Sequence, residues 1–375
     1  MKILHLVGLS EDHGGVLSVI RNLQTAAVEQ SWNHCIWVKE GYRETRTPAL
    51  DYRFSRHIVG EDHSQTKMAL QSVRAFAELR ELLRRERFDI LHAHSRGTLL
   101  TALLVTARLR RPVVFTNHNW ARRKALYSWA SRRRGLFTVL LTANMARHYG
   151  LKVQRPVVSV ISECCADRFF EEPLVARRTS FSVDNPLRLV GVGTIVRWKG
   201  WHLVCDAVCL LDKAERSRVE FWLWGPIPAD HASREYDAEV REYVRAHGLE
   251  KRFRFMGVTD RVSECLRQGH WFVLPSTNEP CAVSLIEALA LGMPAIVSAG
   301  GGNVDIVKQE ETGLLFEPDS AAYLAGRIRA VLEGKASPAP PEDIRESVRH
   351  RSASRVAVEY RALYDKVRQE ERSAR

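Results

Sequence analysis

Short apolar runs alternate with helical stretches along almost the whole chain, and that alternation leaves few folds open. A strand that pairs in parallel with the next needs a crossover between them, usually a helix. The pattern begins at residues 3–7, Ile-Leu-His-Leu-Val, followed by Gly14-Gly15 and a helical segment bearing Val16, Val19, Ile20 and Leu23. Further strands are predicted at 34–38, 88–94, 112–116 and 136–141. Residues 68–87 place Leu70, Val73, Phe76, Leu79, Leu82 and Leu83 at the period of an amphipathic helix. Residues 171–185 lose periodicity and read as a linker. Beyond it the alternation resumes, with strands at 187–192, 219–224, 253–256, 271–275 and 295–297. The Pro-rich segment 336–341 breaks the chain again, and a last helix carries Val356, Tyr360, Leu363, Tyr364 and Val367. The fold class is α/β: two Rossmann-like domains with parallel sheets, 1–175 and 186–350, and a C-terminal helix over 352–372.

A length of 375 residues suits two such domains, and 45% hydrophobic with 27% charged residues excludes fibrous and disordered chains. The longest apolar run, near 136–145, contains Thr and Asn and falls short of a membrane span. The apolar start is brief and interrupted by His5, so it fits a first strand better than a secretory leader. Seven cysteines stand at scattered positions without a CxxC pair, which predicts reduced thiols and a cytoplasmic protein.

Charge is uneven. Formal net charge is +12, yet residues 1–180 hold 29 Lys and Arg against 16 Asp and Glu. Residues 91–162 contain 13 basic residues and no acidic one, with clusters at Arg122-Arg123-Lys124 and Arg132-Arg133-Arg134. Three readings compete: a solvated basic face, a surface for anionic lipid or a phosphorylated acceptor, and a nucleic-acid site. No RNP-type aromatic pattern, zinc-finger spacing or helix-turn-helix signal accompanies the charge, so nucleic acid is not an expected partner.

In open parallel sheets, ligands bind beyond the carboxyl ends of the strands. His92 and His94, Asn117-His118-Asn119, 194–200 and Asn278-Glu279 all follow predicted strands. The segment Asn278-Glu279-Pro280-Cys281-Ala282-Val283-Ser284-Leu285-Ile286-Glu287 sets two glutamates eight apart across a strand-to-helix turn. Ser284 is the expected N-cap, and amides at Ala282, Val283 and Ser284 would offer a helix N-terminus to a diphosphate. Glu287, expected in the first turn, can accept two hydrogen bonds from a vicinal diol. The alternative is that Glu287 only complements the helix dipole and Glu279 is a solvated loop residue. His92 and His94 are read as pointing to opposite faces of their strand, one into the site and one into the core. Trp120, beside His118, is a candidate to stack on an acceptor sugar, with Arg122 and Arg123 beside it.

This segment, with Gly300-Gly301-Gly302-Asn303 after it, resembles the E-x7-E signature of the retaining glycosyltransferases of family 4. Gly14-Gly15 matches that family's first loop and Asp89-Ile90-Leu91-His92-Ala93-His94 its D-hh-H-x-H strand. Thr116-Asn117-His118 matches its T-x-H turn, and Thr312-Gly313-Leu314-Leu315-Phe316-Glu317-Pro318 the tail of its second domain. The resemblance implies the GT-B fold, two facing Rossmann-like domains with the acceptor on the first, the donor on the second and the C-terminal helix crossing back to the first. It assigns Glu287 to the ribose hydroxyls, Glu279 and His118 to the transferred sugar, and Lys199 and Gly15 to the phosphates, with Cys281, Ala282, Val283 and Ser284 around them. The family's usual Arg after a strand Gly is Thr194 here, and Arg197 is expected to supply the charge unless it stays on the surface. Ser162-Glu163-Cys164-Cys165 stands where many relatives have a P-N-G turn.

These roles fit the chemistry. Breaking a sugar–diphosphate bond leaves negative charge on the diphosphate, which fixed cations and amides stabilise. No metal and no cofactor beyond a nucleotide-diphospho-sugar are expected, and same-face attack by an acceptor hydroxyl would retain configuration. The expected acceptor is a glycan or lipid-linked molecule of cell-envelope polysaccharide or lipopolysaccharide synthesis, met by a peripheral protein at the inner membrane face. The rivals are a GT-B epimerase or hydrolase of nucleotide sugars, and a non-catalytic basic protein that binds membranes or nucleic acid. No GxGxxG opens the first helix, which argues against a nicotinamide dehydrogenase.

Overall fold

A computed structural model describes residues 1–9, 14–26, 31–44, 49–60 and 64–374. The chain divides into two compact units. The first spans Met1–Cys164 and takes in the terminal helix Ala353–Ala374; the second is Cys165–Ser352.

The first unit holds β1 (Lys2–Leu6), β2 (Asn33–Lys39), β3 (Asp51–Ser55), β4 (Ile90–Ala93), β5 (Val113–Asn117), β6 (Leu136–Leu140) and β7 (Val158–Val160). They form one sheet in the order β3-β2-β1-β4-β5-β6-β7, every pair parallel. The central strands are covered on both faces, which is why β4, β5 and β6 are buried along their whole length. Chain direction across the sheet reverses between β1 and β4, the place where such folds open a ligand crevice.

The second unit repeats the scheme with β8 (Leu187–Val192), β9 (Val219–Trp224), β10 (Phe253–Gly257), β11 (Trp271–Leu274), β12 (Ala295–Ser298) and β13 (Gly313–Phe316). Their order is β10-β9-β8-β11-β12-β13, again all parallel, with the reversal between β8 and β11.

The strands without a predicted counterpart are β3, β7 and β13. β3 and β7 are the outer strands of the first sheet, and Asp-Tyr-Arg-Phe-Ser and a three-residue run carry too little apolar pattern to stand out. The unit boundary also differs from prediction. Residues 165–175 pack with the second unit, because Cys165 N bonds Arg351 O at 3.2 Å and Arg349 lies over the buried Phe170 ring.

The terminal helix crosses back as expected. It packs against helix Gly15–Ala26, and its buried stripe, Val356, Tyr360, Leu363, Tyr364 and Val367, lies on the first unit. Tyr364 Oη reaches His92 Nδ1 at 2.8 Å. All seven cysteines are free thiols, six of them buried. Among the described residues, no helix is long and apolar enough to cross a membrane.

Candidate active site

The second unit concentrates charge beyond β8 and β11. A short turn, Arg197–Lys199, follows β8, and the loop 275–282 follows β11. Lys199 is buried, and its Nζ donates to Oε2 of the equally buried Glu279. Thr277 N donates to Trp198 O at 3.0 Å and ties the two loops together. Two glycines make the closure possible. Gly200 has φ +72°, and a Cβ there would lie 2.7 Å from the Pro275 carbonyl oxygen. Gly301 has φ +63°, and its Cβ would lie 2.2 Å from the Glu279 carbonyl oxygen. That oxygen instead accepts from Gly302 N at 2.6 Å.

Helix Val283–Ala290 starts at once after this loop, two residues earlier than predicted. Its N-cap is Ala282, with no side-chain cap, so Ser284 is the second helical residue and not the cap. Closure of the loop on Glu279 decides where the backbone turns, and it overrides serine's preference for the cap. The first-turn amides of Val283, Ser284 and Leu285 therefore have no partner within the helix. Glu287 lies beyond the first turn, where it was expected to sit, and is four residues after Val283 on the same face. Cys281 and Ala282 are buried; Cys281 Sγ lies 3.9 Å from Nη1 of Arg351. Thr194 is half-buried, and its carbonyl accepts from Trp201 Nε1 at 3.1 Å.

Arg197 does not join this group. Its Nη2 pairs with Glu239 Oε2 at 2.5 Å and its guanidinium lies 5.1 Å from the Tyr236 ring centroid, both on helix His231–Ala246. The exposed Glu239 carboxylate and the ring of the buried Tyr236 hold it there, and the cation at the Glu279 pair is Lys199.

The first unit builds a different cluster. His118 follows β5, and its Nδ1 lies 2.8 Å from Glu163 Oε1. Its Nε2 lies 3.0 Å from His94 Nδ1. His94 Nε2 is 2.9 Å from His5 Nδ1, and His5 Nε2 is 2.8 Å from His34 Nδ1. His92 stands beside them, bonded to Tyr364 and, through Nε2, to Thr116 at 2.7 Å.

His92 and His94 thus share a face, with ring centroids 4.1 Å apart and both rings buried, contrary to the expectation that they diverge. The strand period is two, so residues two apart point the same way and only successive ones oppose. Burial, with added repulsion among the rings, holds His5, His92 and His94 well below the usual imidazole range. Burial lowers His34 to about 4.

Among the described residues, the one group of three metal-ligating side chains near enough to share a cation is His5, His92 and His94, with ligand atoms within 4.8 Å. All six of those ring nitrogens are already in hydrogen bonds, so a cation would have to displace them.

Gly15 is the exposed first residue of its helix. Trp120 is half-buried and lies against His148, centroids 4.3 Å apart. Arg122 and Arg123 are exposed.

Glu163 was not among the predicted site residues. Its signal was available: it is the first acidic residue after the 72-residue stretch 91–162 that has none. His5 and His34 were hidden as single polar interruptions of apolar strands.

Two family models cover most of the chain: "Glycosyltransferase Family 4" matches residues 13–152 and "Glycosyl transferases group 1" residues 176–351. The chain is 24% identical to 2-deoxystreptamine N-acetyl-D-glucosaminyltransferase of Niallia circulans, over 74% of each protein. It is 25% identical to the lipopolysaccharide core biosynthesis mannosyltransferase LpsB of Rhizobium meliloti, over 66% of this chain and 70% of that one. Its fold is similar to that of sucrose-phosphate synthase from Thermosynechococcus elongatus, with TM-score 0.79, 17% identity and 98% of both chains covered. The matched segments take in the Lys199–Glu279 pair, the helix bearing Glu287 and the His118 turn, and the chain belongs to the group 1, family 4 glycosyltransferases.

Proposed function

We propose that this glycosyltransferase moves a sugar from a nucleotide-diphospho-sugar to a hydroxyl of a glycan or lipid-linked acceptor, with retention and without a metal. The buried Lys199–Glu279 pair beside the uncapped amides of helix Val283–Ala290 carries the reading. A diphosphate against those amides meets the positive end of the helix. Lys199 would turn its ammonium from Glu279 to the phosphates as charge develops on the leaving group. Each such donor is worth about 3 kcal/mol in acyl-transfer sites where one has been removed. Glu279, released from Lys199, would accept hydrogen bonds from the transferred sugar, and Glu287 from the ribose diol. The acceptor hydroxyl would attack from the face the diphosphate leaves and give its proton to a departing phosphate oxygen. That balances the transfer with no added base and retains configuration. Thr194 leaves the phosphates one cation fewer than the family pattern, and Arg197, paired with Glu239, does not replace it.

The first unit would take the acceptor. Arg122, Arg123, Lys124 and Arg132 to Arg134 are exposed beside Trp129, which is 47% exposed with the Arg133 guanidinium 4.1 Å from its ring centroid. Such a surface suits anionic lipid headgroups. An envelope role is supported by the likeness to a lipopolysaccharide core mannosyltransferase.

Thermal shift against UDP, GDP, ADP, CMP and dTDP, each with and without EDTA, tests the donor site. One nucleoside diphosphate at 100 times its dissociation constant should stabilise by about 2.7 kcal/mol, with EDTA making no difference. No shift with any diphosphate would refute the proposed donor site, and a shift abolished by EDTA would refute metal independence.

A further inference from the structure

His34, His5, His94 and His118 form one continuous file, each ring bonded to the next through Nδ1 and Nε2 at 2.8 to 3.0 Å. A neutral imidazole carries one proton, so in such a file every ring must donate in the same direction. Only two arrangements of one proton per ring exist, all on Nδ1 or all on Nε2, and the two ends decide between them.

At one end His118 Nδ1 meets Glu163 Oε1 at 2.8 Å. An ionised carboxylate only accepts, so His118 must donate from Nδ1. At the other end His34 Nε2 is buried without a hydrogen-bond partner, and so is the indole Nε1 of Trp32. These two rings are neighbours, with centroids 5.7 Å apart. Indole N–H is a donor only. Its neighbour is therefore better matched as a bare lone pair than as a second buried N–H. Both ends ask for the same direction.

We propose that these four histidines are held as a single polarised file, every ring protonated on Nδ1, and that Glu163 is the positioning residue that sets its direction and fixes the His118 ring. The file is occupied at every ring nitrogen from His118 to His5. It therefore passes no proton to or from a substrate and acts by holding His118 in one orientation. His92 lies outside it, since its nitrogens are taken by Tyr364 and Thr116. The consequence for turnover rests on the proposed glycosyl transfer and on the place by the transferred sugar that the family resemblance implies for His118; the direction of the file does not.

The test is the tautomer of each ring, read by long-range ¹H–¹⁵N NMR of the full chain labelled on histidine nitrogen, at pH 7.5. Couplings across the N–H···N hydrogen bonds link neighbouring rings and assign the signals along the file. Four Nδ1–H rings in the wild type are expected. His5 or His94 protonated on Nε2 would overturn the proposal, and this reading needs no variant to fold. In Glu163→Ala, His118 and His94 should drift to mixed tautomers. In Glu163→Gln the amide oxygen still accepts and the Nδ1–H pattern should persist; unchanged tautomers in Glu163→Ala would remove Glu163 from its role. With the sugar placed as proposed, Glu163→Ala should lower kcat about 10- to 100-fold with donor KM little changed, and Glu163→Gln should restore most of it. Tautomers that move while kcat does not would leave the file standing and refute the placement of His118.

Discussion

The two sheets are wound alike, each reversing direction beside its first strand, yet they place opposite kinds of polarity there. The first unit buries neutral imidazoles in a hydrogen-bonded file. The second buries an ion pair, Lys199 with Glu279, beside a helix end. In a low-dielectric interior, a charged pair persists only when well partnered, and the removal of one member leaves an uncompensated charge. Neutral rings avoid that cost but depend on staying neutral. One winding therefore supports a site built to meet a changing charge and another built to keep a fixed orientation.

The sharpest way to break the comparison is acid. A ring whose folded pKa lies below its unfolded value binds fewer protons folded than unfolded once pH falls under about 6.5. The stability it contributes is complete above that pH and is lost on acidification, down to about pH 4 for His34. Each ring that stays neutral contributes a slope of about 1.4 kcal/mol per pH unit. His5, His34, His92 and His94 together should bring the first unit close to unfolding near pH 5. Urea midpoints at pH 7.5 and pH 5.5 check this, and equal midpoints would contradict it.

Substitution of one member of the ion pair comes next. Lys199→Ala should cut turnover about 100-fold or more and leave the acid sensitivity unchanged. Near-wild-type turnover in a steady-state assay would end its assigned role. The smallest effect lies outside both clusters. Reversal of Arg132, Arg133 and Arg134 to Glu should weaken sedimentation with anionic liposomes at low salt and leave donor affinity unaltered. Unchanged sedimentation would remove the membrane surface from the proposal.

The two clusters also differ in how far the sequence betrayed them. Glu279 and Glu287 were singled out because local geometry relates them, a turn after a strand and a helix start at a fixed offset. Lys199 was assigned through the family resemblance, and its pairing with Glu279, 80 residues away, was not foreseen. The exceptions, Ser284 and Arg197, are residues whose final partners come from loop closure and from helix His231–Ala246, which no local spacing encodes. The histidine file draws on positions 5, 34, 94, 118 and 163. Parallel register brings them together, with His5 paired to His92 and Ile3 to His34 across neighbouring strands. Nothing in a linear spacing announces that. The general winding was readable from alternation, whereas β3 and β7, at the sheet edges, take their structure from pairing more than from pattern.

The two rings packed on His92, Tyr360 and Tyr364, come from the helix Ala353–Ala374. The second unit is one uninterrupted stretch, but the first is split around it. On a ribosome adding about 5–20 residues per second, those two tyrosines emerge roughly 10–40 seconds after Cys164. The unit made first is thus finished last, and until then His92 lacks the two tyrosines that pack on it.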